Sequence, residues 1–297
     1  MSESQPVPMA PAIEFRAVDI LYGTQPNRRS SELMQRALDA LDAGRSRAEI
    51  REQTGIVVGV ANANLSVARG EIYVLMGLSG SGKSTLLRAA NGITRITRGK
   101  VLVSDRGSVV DVASCDPHTL RSVRRRCLAM VFQQFALLPW RTVRDNVGFG
   151  LELRGESVRE RRRIVEQQLE LVGLAEWANR YCSELSGGMQ QRVGLARALA
   201  TNADVLLMDE PFSALDPLIR RKLQDELLAL QQHVKKTILF VSHDLDEALK
   251  LGDRISILEG GRIVQSGTGT EIVEHPADDY VAEFVRHVNP HAVKKTS

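Results

Sequence analysis

Eight consecutive residues, Gly77 to Ser84, read G-L-S-G-S-G-K-S, with Thr85 following. Glycines in such a loop let the backbone turn its N–H groups inward around a phosphate chain. The Lys83 ammonium can reach terminal phosphates, and the Ser84 hydroxyl is a ligand suited to Mg²⁺. The run matches G-x-x-x-x-G-K-[ST]. Gly77, Leu78, Ser79, Gly80, Ser81, Gly82, Lys83, Ser84 and Thr85 are therefore the expected nucleotide-binding set. A second group stands at Asp209 and Glu210, after the apolar run Val205–Met208. Ligands of open α/β sheets sit at the carboxyl ends of strands. Asp209 is placed to hold Mg²⁺ through its water shell. Glu210, one residue on, points elsewhere and can polarise an attacking water; an acidic pair that merely caps a helix is the plainer alternative.

A third group is Leu185–Gln190, L-S-G-G-M-Q, ahead of the helical run Q-R-V-G-L-A-R-A-L-A. Ser186 and the glycines Gly187 and Gly188 leave backbone N–H groups free at a helix start, which makes a second anion site. One chain can hardly close both sites around one nucleotide. Two chains set head to tail can.

The elements that must position these groups are legible in outline. Residues 13–21 read as a strand, and Glu71–Met76 as a buried strand entering the glycine loop, with a helix over Thr85–Asn91. Residues 24–56 interrupt what would be a hairpin. Leu33, Ala37, Leu38 and Leu41 recur at helical spacing, and Ser46 with Glu49 forms a capping-box pattern, so one or two inserted helices are expected there. Residues 57–69 resume as strand, and short strands and turns are expected up to about Met130. Residues 143–182 read as helical, with Arg159–Arg163 as a solvated face. From 185 onward helix and strand alternate, the mark of a parallel sheet, and Gly260-Gly261 signals a hairpin turn.

Composition sets bounds. The 297 residues are 43% hydrophobic and 25% charged, with 39 basic and 36 acidic side chains and a net charge of +3. That charge is too mild to argue for nucleic acid. Cys115, Cys127 and Cys182 are odd in number and widely spaced, so reduced thiols are expected, and the histidines lack metal-ligand spacing. The start, M-S-E-S-Q-P-V-P-M-A-P, lacks a signal-peptide pattern, and no apolar run approaches the ~18–20 residues of a membrane helix. Transport would therefore need partners.

L-S-G-G-M-Q resembles the signature of ABC ATPases, and the resemblance runs from about residue 13 to 275. Other family motifs follow in order: Phe132-Gln133 resembles the Q-loop, Ser213–Asp216 the D-loop and His243 the switch histidine. The resemblance implies an α/β P-loop NTPase fold, with a mostly parallel core sheet, an antiparallel β part and a helical subdomain at about 135–184. It implies ATP and Mg²⁺ as cofactors. Glu210, His243 and Gln133 would be catalytic. Ser84, Gln133 and Asp209 would attend the metal. Ser186, Gly187, Gly188 and Gln190 would face ATP on the opposite subunit, and Asp216 would link the two sites. Tyr22 resembles the residue that stacks on adenine. A lone histidine would otherwise be a satisfied core residue, and Tyr22 an ordinary strand-end tyrosine.

The implied partners are a second copy in a head-to-tail dimer, integral-membrane permease subunits and, indirectly, a periplasmic or surface substrate-binding protein, with no nucleic acid. The implied place is the cytoplasmic face of the inner (plasma) membrane. Phe135–Thr142, with Leu137, Leu138 and Trp140, is the expected docking segment. The 24–56 insertion and T-G-I-V-V-G-V resemble ATPases of quaternary-amine uptake, and F-Q-Q-F-A-L-L-P-W-R-T-V-R-D-N-V-G-F-G looks closest to choline members, with glycine betaine or proline import as the alternative. A flexible segment is expected over 1–12, and a short tail over 276–297, too short for paired CBS modules. A non-transport ABC protein would need a second cassette or a long coiled coil, and neither is seen. Intact Lys83, Asp209, Glu210 and His243 speak against a regulatory partner without catalysis.

Overall fold

The computed structural model describes residues 10–23 and 28–288. Most of the expected flexible start (1–9), the first part of the insertion (24–27) and the end of the tail (289–297) lie outside the described residues.

Strand β1 (Ile13–Tyr22) is followed by helices α1 (Arg28–Asp42) and α2 (Arg47–Thr54), after which β2 (Val57–Val67) pairs antiparallel with β1. The Ser46–Glu49 capping box is formed: Ser46 Oγ accepts from the Glu49 N–H, and the Glu49 carboxylate accepts from the Ser46 N–H at 2.8 Å. Gly55, at φ 71°, ends α2 in the left-handed conformation that suits glycine. Ala37, Leu41 and Ile50 are buried with Leu21, Ile56 and Val58, so the inserted helices share a small core with the strand ends beside them.

The next strand, β3 (Ile72–Met76), is buried at every position and leads through the glycine loop into α3 (Lys83–Ala89). The helix begins before Thr85 because Gly82, at φ 102°, takes the N-cap position, and it stops at Ala89, short of Asn91. Strands β4 (Arg98–Asp105) and β5 (Ser108–Asp111) complete an antiparallel sheet ordered β2-β1-β4-β5. Helix α4 (Pro117–Arg126) stands where strands and turns were expected. Its signal was local: Asp116 accepts from the N–H groups of His118 and Thr119, and Pro117 fills the first turn, where no N–H is needed.

Strand β6 (Leu128–Val131) precedes three helices: α5 (Val143–Arg154), α6 (Val158–Leu171) and α7 (Gly187–Ala200). Along α6, Arg162 pairs with Glu166 and Arg163 with Glu160 on an exposed face. The rest alternates: β7 (Val205–Asp209), α8 (Pro217–Val234), β8 (Thr237–Val241), α9 (Leu245–Leu251), β9 (Arg254–Glu259), β10 (Arg262–Gly267), α10 (Gly269–Glu274) and α11 (Asp279–Val288). The second sheet is ordered β10-β9-β3-β8-β7-β6, parallel except for the β9–β10 hairpin. β3, β7 and β8 are buried along their whole length, as strands covered on both faces must be.

Register decides where the chemistry lies. Leu75 and Asp209 each pair with Val241, so β3, β8 and β7 end at the same level. The glycine loop, the Asp209-Glu210 pair and the Ser242-His243 pair therefore emerge at one edge of the sheet. All three cysteines are free thiols. Among the described residues no helix is long and apolar enough to cross a membrane.

Candidate functional site

The glycine loop is held from outside. Lys83, nearly buried, donates from Nζ to Gly77 O (2.7 Å) and Leu78 O (2.9 Å). Burial pushes its ammonium below the usual lysine value, while Glu210 and Asp209 pull the other way. A Cβ on Gly77 would lie 2.1 Å from Leu258 O, and one on Gly82 2.5 Å from Gly59 O, so no side chain fits at either position. Ser81 Oγ is buried with no hydrogen-bond partner. Tyr22, 46% exposed, donates from its hydroxyl to Thr85 Oγ1 at 3.4 Å, which sets the tyrosine beside the end of this loop.

Asp209 is fully buried, and its two oxygens are divided. Oδ1 accepts from Ser84 Oγ at 2.6 Å and Oδ2 from Arg88 at 2.9 Å. Ser84 and Asp209 fit the donor set of a magnesium ion that arrives on nucleotide phosphates, since Mg²⁺ takes one or two protein oxygens and leaves the rest to phosphate and water. Among the described residues no cluster of three His, Cys, Asp or Glu side chains could hold a metal unaided.

Glu210 stands next to this pair with its backbone at φ 49°, an unusual conformation for a residue with a side chain. Three contacts hold the backbone there. The Glu210 N–H donates to Val241 O at 3.1 Å, while Glu210 O accepts from Gln191 Nε2 and Ser213 Oγ, each at 3.0 Å. The turned backbone brings the carboxylate between two groups from other loops. Gln133 Nε2 donates to Glu210 Oε2 at 3.1 Å, and His243 Nδ1 lies 3.5 Å from the same oxygen. Gln133 and Glu210, 77 positions apart in sequence, are thus joined through one oxygen that His243 also faces.

The L-S-G-G-M-Q segment lies elsewhere. Ser186 caps α7, accepting from the Met189 N–H, with Gly187 and Gly188 in its first turn. Gln190 Nε2 donates to Cys182 O (3.0 Å) and Leu185 O (3.1 Å), which braces the segment from inside. Helix α7 packs on α5, α6 and β6, whereas α3 packs on β7, β8 and β2. Asp216 caps α8 by accepting from the Ile219 N–H at 3.0 Å, in an exposed loop. A Cβ on Gly188 would lie 3.1 Å from Ala214 O, so the two loops touch.

Three residues that the sequence did not single out prove central to this geometry. Arg88 holds the second oxygen of Asp209. Gln191, 1% exposed, donates to Glu210 O and accepts from the Ala214 N–H, tying α7 to both acidic loops. Arg197 donates to Phe135 O (2.8 Å) and Ala136 O (2.7 Å), whose residues have φ 58° and 47°. The segment after Gln133 is thereby fastened to α7, with Leu137 packed inward and Trp140 71% exposed. Position within a helical pattern was the only signal available for these three.

A family profile described as ABC transporter matches residues 60–213, just over half of the chain. The chain is 50% identical to the glycine betaine/proline betaine transport system ATP-binding protein ProV of Escherichia coli (strain K12), across 95% of this chain and 67% of that protein. It is 51% identical to the glycine betaine transport ATP-binding protein OpuAA of Bacillus subtilis (strain 168), across 93% of this chain and 63% of that protein. It is also similar to the ATP-binding cassette MJ0796, solved as a dimer in a post-hydrolysis state bound to ADP and Pi: TM-score 0.72, 30% identity, 86% of this chain and 98% of that one.

Proposed function

The chain belongs to the ABC transporter family, and on that premise we propose that it is the motor subunit of a quaternary-amine importer, with choline the solute. As a member of the family it binds and hydrolyses ATP. Glycine betaine or proline betaine is a second reading of the solute, favoured by the names of ProV and OpuAA. The solute would be delivered by a substrate-binding protein and held by a permease, where aromatic rings can cage a quaternary ammonium; it would not touch this chain.

The observation that carries the motor reading is the convergence of Gln133 and His243 on one oxygen of Glu210, beside Asp209 and Ser84. Residues Gly77–Thr85 would wrap the phosphates with inward N–H groups, and Tyr22 would stack on adenine. Lys83 would exchange its two carbonyl partners for phosphate oxygens. Ser84 and Asp209, with Gln133 nearby, would hold Mg²⁺, which neutralises phosphate charge when bound. Glu210 would accept the proton of the attacking water. Gln133 and His243 would keep its carboxylate aimed and contact the γ-phosphate.

Two copies would close head to tail. Ser186, Gly187 and Gly188 would then present backbone N–H groups to ATP on the opposite copy, with Gln190 bracing that loop, and Asp216 would join the two sites. The ATPase domain would span 13–275, with 24–56 as its insertion and 276–297 as a tail. Residues 135–184 would form the part that moves against the permease, with Phe135–Thr142 and its exposed Trp140 as the contact, at the cytoplasmic face of the membrane. Closure on ATP and reopening after hydrolysis would turn the permease by differential affinity for the closed state.

The test is uptake of labelled choline and labelled glycine betaine in cells lacking the chain. Restoration of choline uptake by the native protein and not by Glu210→Gln is expected. Restoration of betaine uptake alone would overturn the choline reading, and independence of both solutes from the chain would overturn the importer reading.

A further inference from the structure

The inserted helices reach the glycine loop through Arg47, the first residue of α2. Its Nη1 donates to Gly80 O at 3.3 Å. The next carbonyl of the loop, Ser81 O, accepts from the Gly261 N–H at 3.1 Å. Arg47 Cδ lies 3.9 Å from where a Gly260 Cβ would stand, so the same side chain also covers the turn that holds Ser81. Two successive carbonyls on the outer wall of the loop are thus fixed from outside, and the peptide planes are set without using the inward N–H groups. Donors fixed before the ligand arrives cost no reorganisation when it binds.

The platform beneath Arg47 is rigid. The capping box fixes the start of α2 at Ser46, and Ile50, one turn on, is fully buried. Asp42, at the end of α1, takes two bonds from Arg98 (2.6 and 2.8 Å), and Arg98 Nε donates to buried Asp19 at 2.6 Å. The turn between α1 and α2 is therefore clamped to the antiparallel sheet through Asp42 before it and meets the glycine loop through Arg47 after it.

We propose that Arg47 is a positioning residue for nucleotide binding, holding Gly80 from the inserted helix so that the insertion sets the affinity of the loop for ATP. This rests on the reading that ATP phosphates occupy Gly77–Ser84. The guanidinium suits the task because it offers several donors in a fixed plane.

The experiment measures ATP affinity by equilibrium binding and KM and kcat by phosphate release, for native protein, Arg47→Ala, Arg47→Lys, Arg45→Ala and Lys83→Ala. Arg47→Ala is expected to raise Kd and KM about three- to tenfold, the scale of one charge-assisted hydrogen bond to an exposed carbonyl. Its kcat at saturating ATP and its nucleotide-free melting temperature should stay native. Arg47→Lys should recover part of the affinity, and Arg45→Ala, whose side chain pairs with Glu49 at 3.5 Å away from the loop, should change nothing. If Arg47→Ala melts early, Arg47→Met, which keeps the stem over Gly260 and loses the donors, carries the same test. Native Kd and KM in the Arg47 variants, or an equal loss in Arg45→Ala, would overturn the proposal. Native affinity in Lys83→Ala would instead overturn the nucleotide reading of the loop itself.

Discussion

Glu210 shows how much of a site is backbone. Its side chain could meet Gln133 and His243 only because the main chain turns to φ 49°, and that turn is held by a bond donated to Val241 O and by bonds accepted from Gln191 and Ser213. A second acid supports His243 less directly. Glu247, mostly buried on α9, accepts from Ser242 Oγ at 2.5 Å and Gln224 Nε2 at 3.0 Å, and Ser242 immediately precedes His243. Burial holds the Glu247 carboxyl above its ordinary value, against the lowering effect of those two bonds. The folded chain therefore binds this proton more tightly than the unfolded one. Its favourable contribution is complete below about pH 4.5, the ordinary value, and is lost as pH rises through the raised one. Glu247→Gln, which stays neutral, is expected to gain melting temperature relative to native protein as pH goes from about 4 to 8. A gap that stays constant across that range would mean that the carboxyl is not raised. At this scale the phosphate-loop residues were legible because their chemistry demands fixed local spacing. Arg88 was not, because its partner Asp209 is 121 positions away and nothing in L-L-R-A-A announces it.

At the scale of elements, α7 is the hub. Ser186 caps it and its first turn carries the glycines, its fifth residue, Gln191, reaches Glu210 and Ala214, and its last turns hold Phe135 and Ala136 through Arg197. A shift of α7 therefore moves the acidic loop and the segment after Gln133 together. Gln191→Ala would leave Glu210 O and the Ala214 N–H without this partner, at a cost of about 1–3 kcal/mol if either stays buried and unpaired. Turnover is expected to fall about tenfold or more through misplacement of the Glu210 carboxylate, with ATP affinity near native. Phosphate release at saturating ATP, beside a binding titration, checks this, and equal loss in both would place Gln191 in general folding only. The parallel sheet and the inserted helices were readable from strand–helix alternation and from the Ser46–Glu49 pattern. Helix α4 was missed because its apolar periodicity is weak among seven basic or polar neighbours, although Asp116-Pro117 marked its start. Coupling through Gln191 and Arg197 could not be read at all, since a buried amide and an arginine in a helical run look like any others until the fold sets their partners.

At the scale of the whole molecule, the two proposed anion sites face a simple constraint. The glycine loop belongs to α3 and the sheet edge, while the Ser186 turn belongs to the α5–α7 part, and the two parts pack on different elements. On the proposed reading a single chain would leave each as half of a nucleotide pocket, and a second copy set head to tail would supply the missing half twice. ATP is therefore expected to join two copies, and hydrolysis at Glu210 to separate them. Sedimentation of Glu210→Gln with ATP and Mg²⁺ tests this most directly. Nucleotide is expected to be retained, phosphate release to fall by about a hundredfold or more, and the protein to sediment as a dimer that reverts to monomer when nucleotide is removed. A variant that binds ATP yet sediments only as monomer, or that still turns over at the native rate, would rule out ATP-driven pairing with Glu210 as the base.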